Sequence, residues 1–182
     1  YSVNLRIMSN RANLSLLRVP TVFTWLTDVT GKFMNPELAI VLFLIAVVLI
    51  AKILLDLFFH TDFGLTMGAL GSNPQLIISQ GMNPEIIKGV GICIANGLVA
   101  AAGAFASMYQ GFADVGSGTG IVVSGLASVM IGEFLIRTNK ISLLTLRVVL
   151  GSIVYRMLMY FARSYGYLIN MSANDLKLIT GL

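Results

Sequence analysis

Residues 38–59 form an apolar stretch interrupted only by Lys52 and Asp56, and few folds accommodate such a segment. About 20 predominantly apolar residues in helical form cover a hydrocarbon layer roughly 30 Å thick, at about 1.5 Å of rise per residue. Three further segments, 89–108, 121–136 and 144–162, meet or approach that length. The third is short, which suits a span with little tilt or one partly sheltered by protein. A fifth span is expected to begin near Asp175 and to occupy 175–182. Composition agrees: 57% of the 182 residues are hydrophobic and 11% are charged, with a mean hydropathy of +0.87. A soluble domain carries roughly 25% charged residues, so lipid is the expected solvent. The expected fold class is all-α, a polytopic transmembrane helix bundle in a single domain covering 1–182.

The net charge of +4 is small and dispersed. No block of Lys and Arg forms a nucleic-acid footprint. Arg6, Arg11, Arg18, Lys32 and Arg163 fall in loops on one side of the predicted spans. Lys88, Arg137, Lys140 and Arg147 fall on the other, so the positive-inside rule finds no bias. Cys93 is the single cysteine and sits in an apolar run, which excludes an internal disulfide and reads as a small core thiol. Tyr1 opens the chain with neither a methionine nor the layout of a signal peptide. The chain stops at Leu182, seven residues after Asp175, within what reads as the first turns of another apolar helix. The expectation is a piece of a longer membrane protein, with at least one more span at its C-terminus and others at its start.

Between the first two spans lies a polar interruption, 61–81, broken by glycines at 64, 68, 71 and 81. Three helix starts share one signal: Asn35-Pro36-Glu37, Asn73-Pro74-Gln75 and Asn83-Pro84-Glu85. Each places Asn at the N-cap and Pro at the first helical position, followed by an acidic or amide side chain at the positive end of the helix dipole. The middle signal opens a short helix of one or two turns inside the interruption. The expected order is span, turn, short helix, sharp turn at Gly81, span.

Small residues recur in the later spans. Gly116, Gly120, Ser124, Ser128 and Gly132 follow one another every four residues, and the second span carries Gly91 with Ala95, Gly97 with Ala101 and Gly103 with Ser107. Such spacing lets helix backbones approach closely in lipid. Tight packing between neighbours is the first reading, and a stripe along a substrate path is the second. Gly116-Ser117-Gly118-Thr119-Gly120 lacks the Lys and the Ser/Thr of a phosphate loop and follows no strand.

Polar groups within the spans are few. Lys52 and Asp56, four apart, can pair on one helix face. Arg156 lies within the fourth span among Tyr155, Tyr160, Tyr165 and Tyr167, which resemble an interfacial aromatic belt; snorkelling or a salt bridge is the expected role, with contact to an anionic substrate as the alternative. Asn96, at the middle of the second span, is expected to hydrogen-bond across helices, or else to contact substrate. His60 reads as an anchor or cap, since no second His or Cys cluster forms a metal site, and Glu133 falls where the third span meets headgroups. No nucleophile, base and orienting group assemble into a catalytic set. Neither enzyme activity nor a metal or other cofactor is expected.

The run 62–81, with Ala69-Leu70-Gly71-Ser72-Asn73-Pro74 and then Gly81-Met82-Asn83, resembles the cytoplasmic loop of permease subunits of bacterial ABC importers, in the broad family of ribose and branched-chain amino-acid permeases. That family's pattern is a basic residue, Ala, any residue, Gly, any residue, Asn, Pro, and a Gly a few residues on. The similarity continues through the second span, through 110–116 and through 125–133, so that 61–136 carries most of it. Residues 1–17 and those after Arg137 resemble the subgroup of tryptophan or aromatic amino-acid importers. The resemblance implies that 60–88 is a cytoplasmic coupling loop. In it Ala69, Leu70, Gly71, Ser72, Asn73, Pro74, Gln75, Ile78, Ser79 and Gly81 would form a coupling helix docked in a groove of a separate ATPase subunit. It further implies a second permease subunit in a homodimer, an extracytoplasmic substrate-binding protein, and residence in the bacterial inner membrane. Gly68 departs from the pattern, standing where the family has a basic residue, which implies either a weaker grip on the ATPase or compensation by another residue. Two readings from other classes stand beside this one. One is a secondary transporter or channel whose interruption is a broken helix lining a midplane site; the other is a non-transporting membrane scaffold.

Overall fold

The computed structural model describes residues 2–31, 34–118, 120–138 and 140–165. The span expected at 175–182, together with Lys32, Thr119 and Tyr167, lies outside the described residues. The chain divides into two units, Tyr1–Val115 and Gly116–Leu182.

The first unit opens with α1 (Ser2–Ile7), β1 (Asn13–Ser15) and α2 (Val22–Thr30). A capping box starts α2: the Thr21 hydroxyl accepts from Thr24 N, and the Thr24 hydroxyl accepts from Thr21 N at 2.8 Å. The first span is α3 (Pro36–Phe59), 24 residues and therefore about 36 Å long. Then come α4 (Asp62–Ser72), α5 (Pro74–Ser79) and α6 (Pro84–Gln110). With 27 residues, α6 is about 40 Å long and begins at the predicted Asn83-Pro84 signal rather than at residue 89. The unit ends in β2 (Phe112–Asp114), which pairs antiparallel with β1 in the register Asn13↔Asp114, Leu14↔Ala113, Ser15↔Phe112. This pair of three-residue strands was not expected, because neither segment alternates long enough to read as a strand.

Two small cores hold the unit together, one at each end of its spans. Where α2, the start of α3 and the end of α6 meet, buried Phe23 packs edge-on against Phe43, Phe105 and Tyr109 at centroid distances of 5.9, 6.4 and 6.1 Å. At the opposite end of α3 and α6, Leu70, Ile77 and Ile87 are buried together. Between these ends the spans show their apolar side chains outward: Leu42, Leu49 and Ile53 of α3 and Ile92 and Val99 of α6 are at least half exposed. Such a surface suits a hydrocarbon surround, where apolar exposure carries no hydration penalty.

The second unit follows a 3-10 turn at Val115–Gly118 and consists of α7 (Ile121–Leu135) and α8 (Ile141–Tyr165). At 15 residues α7 is about 22 Å long and falls short of a full crossing by itself. The 21-residue stretch Val115–Leu135, which includes the 3-10 turn, reaches spanning length. With 25 residues α8 is long enough alone. Four helices among the described residues are thus long and apolar enough to cross a membrane, and the chain is an all-α polytopic bundle.

Candidate functional site

The polar interruption folds into two helices rather than a turn followed by one. The glycines at 64, 68 and 71 read as breakers in the sequence, yet all three lie within α4. The start of α4 explains this. Thr61 is its N-cap and accepts from Gly64 N at 3.2 Å, while Asp62 stands in the positive first turn. A side chain at Gly64 would press on the carbonyl of Phe58 and come 2.6 Å from the Phe59 Cα. Glycine is needed there for close return onto the end of α3, not to end a helix.

At the junction of the two helices Asn73 serves both. Its backbone N–H donates to the Ala69 carbonyl at 2.9 Å, closing α4, and its Oδ1 accepts from Gln75 N at 3.1 Å, opening α5. The exit from α5 is a Schellman turn: Met82 N donates to Ile77 O at 3.2 Å and Gly81 N to Ile78 O at 3.0 Å. Gly81 has φ +77°, a left-handed conformation that favours glycine. Two residues later Asn83 Oδ1 accepts from Glu85 N at 2.9 Å and starts α6. Of the three expected Asn caps, Asn73 and Asn83 make the side-chain bond, and Asn35 makes none.

The result is a compact knob with its own interior. Leu70, Ile77 and Ile87 form its centre, with Phe63, Met67, Ala69 and Met82 packed around them. Ile77 and Ile87 are each 1% exposed. The Met67 sulfur also lies near Gly91, 3.3 Å from where a Cβ would stand, so α4 leans on the first turns of α6. Of the predicted coupling residues, Leu70 is buried and Ala69 half-buried, and these two hold the knob together. Gly71, Ser72, Asn73, Pro74, Gln75, Ile78, Ser79 and Gly81 are exposed and form its outer surface. Ile78 stands out as an apolar side chain 54% exposed beside polar neighbours. Sequence reasoning missed Ile77 and Ile87. The apolar pair Ile77-Ile78 marks an apolar turn but not which member points inward, and Ile87 reads simply as part of a span.

The small-residue stripe divides into parts. Gly116 lies in the 3-10 turn and Gly120 is the N-cap of α7, with φ +79°. The Ser124 hydroxyl donates to the Ile121 carbonyl at 2.9 Å, and that of Ser128 to the Ser124 carbonyl at 2.7 Å. Only Ser128 and Gly132 are buried, and they face Gly151 of α8. At this contact the small residues let the backbones of α7 and α8 approach closely. Gly151 was missed, although it is the only glycine of the fourth apolar run. Near the contact Arg147 of α8 reaches Glu133 of α7 at 3.7 Å, a cross-helix pair also absent from the sequence reading, and Arg147 Nε is buried without a hydrogen-bond partner.

Two expectations for polar groups of α6 are corrected: Cys93, read as a small core thiol, is exposed, and so is Asn96. Asn96 does not reach across helices: its Nδ2 donates to the Ile92 carbonyl at 3.0 Å, one turn back on α6, and the residue is exposed. An exposed amide in a span satisfies itself within its own helix when no neighbour lies against it. Lys52, Asp56 and His60 stand as the sequence suggested. Lys52 and Asp56 pair along α3, and His60 Nδ1 lies 2.6 Å from the Asp56 carbonyl oxygen at the end of that helix.

Residues 6–180 match the model of the family described as branched-chain amino acid transport system / permease component. The chain belongs to this family. Over its full length it is 38% identical to a tyrosine transport system permease protein of Clostridioides difficile (strain R20291), covering 56% of that protein. It is 30% identical to an uncharacterized protein of Rickettsia prowazekii (strain Madrid E), covering 61% of it. The chain thus spans little more than half the length of these curated relatives. No solved structure matches it. The family is one of permease components, and four helices among the described residues are long and apolar enough to cross a membrane.

Proposed function

We propose that the chain is the membrane-spanning core of an ABC importer permease of the bacterial inner membrane, and that the knob formed by α4, α5 and Gly81 couples it to a cytoplasmic ATPase. The observation that carries this reading is the knob itself. A six-residue helix has no independent stability in water, yet α5 is held by an Asn cap, a Schellman exit and a buried isoleucine. A rigid projection with an exposed, partly apolar outer face, continuous through Asn83-Pro84 with α6, suits the transmission of force from a docked partner to a span. The paired ATPases bind and hydrolyse ATP, close and displace the knob, and two permease copies alternate access around a central pathway. An extracytoplasmic binding protein delivers the solute. The identity with a tyrosine permease supports an aromatic amino acid as the solute.

Crosslinking tests the coupling role. In the complete permease with Cys93 replaced by serine, cysteines placed at Gln75 or Ser79 are expected to crosslink to the co-expressed ATPase in intact complexes. If neither position reaches the ATPase, the knob does not couple.

A further inference from the structure

With nine residues, α2 is about 13 Å long and cannot cross a ~30 Å hydrocarbon layer. Its depth relative to the spans is nevertheless fixed. Leu16 N donates to the carbonyl of Gly111, the C-cap of α6, at 2.7 Å, which sets the approach to α2 level with the end of that span. From there the chain turns inward. Phe23 packs on Phe43, seven residues into α3, and on Phe105, five residues before the end of α6. At about 1.5 Å per residue these contacts lie roughly 7–10 Å inside the span ends, the depth to which interfacial helices bury an apolar face.

The helix has three sides rather than two. Phe23, Leu26, Thr27 and Thr30 are buried or half-buried and form the side against the protein. Thr24 and Asp28 form an exposed polar side. Val22, Trp25 and Val29, exposed by 40%, 66% and 52%, form an exposed apolar side. At about 100° per residue the three sides stand roughly 120° apart. A surface helix in water keeps its apolar residues on the core side alone; a second apolar side next to a polar one suits a helix placed where protein, lipid and water meet. The hydroxyls agree with that placement. Those of Thr24, Thr27 and Thr30 donate to the carbonyls of Thr21, Thr24 and Leu26 at 2.7, 2.9 and 2.5 Å, so they are satisfied within the helix, as a layer poor in water requires. Asp28 is the only charged residue of α2 and lies on the polar side. Exposed Tyr109 packs on Phe23 at 6.1 Å, so Trp25 and Tyr109 bring to one end of the spans the two aromatic types that favour the headgroup boundary. Arg18, exposed and two residues after Leu16, stands at the level of the α6 end, where lipid phosphates lie.

We propose that α2 is an interfacial helix whose Val22–Trp25–Val29 side is seated in the headgroup–acyl boundary of the bilayer, at the end of the spans opposite the knob, with Arg18 at the phosphate level. Joined through Phe23 to both α3 and α6, it fixes the depth of these two spans at that end. This inference rests on the membrane location proposed above and is independent of the coupling role of the knob.

The test uses the complete permease, freed of native cysteines, in phospholipid vesicles. Single spin labels are placed on Trp25→Cys, Val29→Cys, Thr24→Cys and Asp28→Cys, and on Leu49→Cys in the middle of α3. Labels at 25 and 29 are expected to collide more with lipid-dissolved oxygen than with an aqueous nickel chelate, and labels at 24 and 28 to reverse that order. The label at 49 is expected to favour oxygen most. Unlabelled protein gives a second readout through Trp25, the single tryptophan of the chain. The emission lost in Trp25→Phe is expected to be quenched by lipids brominated on the upper acyl chain and spared by aqueous iodide. Quenching by iodide, or equal nickel access at 24 and 25, overturns the proposal by placing that side in water. Nickel access at 25 that disappears only when the binding protein is added overturns it by assigning the side to that protein. Oxygen preference at 25 equal to that at 49 overturns it by placing the helix in the hydrocarbon core. Nickel access at 49 removes the membrane reading itself, and this inference with it.

Discussion

Gly132 of α7 and Gly151 of α8 stand backbone to backbone: a Cβ at position 151 would lie 2.7 Å from the Gly132 nitrogen and 2.8 Å from its Cα. In lipid, helices associate through such close packing rather than through hydrophobic expulsion. The Gly151→Ala and Gly132→Ala variants are therefore expected to loosen the α7–α8 pair by about 1–3 kcal/mol, as overpacking does. Thermal unfolding in detergent should show the loss. Gly125→Ala, where nothing lies within 4 Å of an added Cβ, should show none.

Two glycines one turn apart in α4 predict opposite outcomes. Gly64→Ala meets the backbone of Phe58 and Phe59 and should open the knob. Gly68 has open space around it, so Gly68→Ala should gain about 0.5–1 kcal/mol of helix stability. Gly68→Arg should fold equally well and, on the coupling proposal, strengthen association with the ATPase. Hydrogen exchange of α4 separates the first two variants, and copurification reads the third.

Neighbouring isoleucines divide stability from coupling. Ile77→Ala removes a fully buried side chain and should cost about 2–5 kcal/mol, visible as faster proteolysis between α4 and α6. Ile78→Ala truncates an exposed side chain and should leave proteolysis unchanged while lowering coupled ATP hydrolysis. Equal effects of the two variants on both readouts would remove the distinction between anchor and contact.

The three Asn-Pro starts should respond unequally to alanine. Asn73→Ala and Asn83→Ala each lose a capping bond, at about 1 kcal/mol. Asn35→Ala loses none and should change little. Amide exchange in the first turns of α3, α5 and α6 measures the difference.

Arg147 is held weakly by Glu133 and leaves its Nε unpartnered in a buried setting. A buried polar atom without a partner is destabilising, while the arginine stem packs as an apolar chain. Arg147→Met should therefore keep or raise the unfolding temperature. A marked drop would mean that the charge is answered by a group outside the described residues.

The features legible from sequence were those decided by a residue's own chain neighbours. Span positions follow from apolar length, the starts at Pro36, Pro74 and Pro84 from Asn-Pro chemistry, and the exit at Gly81 from the left-handed turn that a Schellman motif requires. Each of these signals lies within a few residues of its effect. Tertiary structure decided the rest. Ile77 rather than Ile78 anchors α5 because Leu70 and Ile87 close on one side of that turn. Gly64 became a contact instead of a breaker because the chain folds back onto Phe58 and Phe59. Ser128 and Gly132 became the packed part of a longer stripe because Gly151 faces them, and Asn96 bonded within its own helix because it is exposed among the described residues. A periodicity states which residues share a helix face, and the rotation of a neighbouring helix, set by contacts distant in sequence, determines which face is covered.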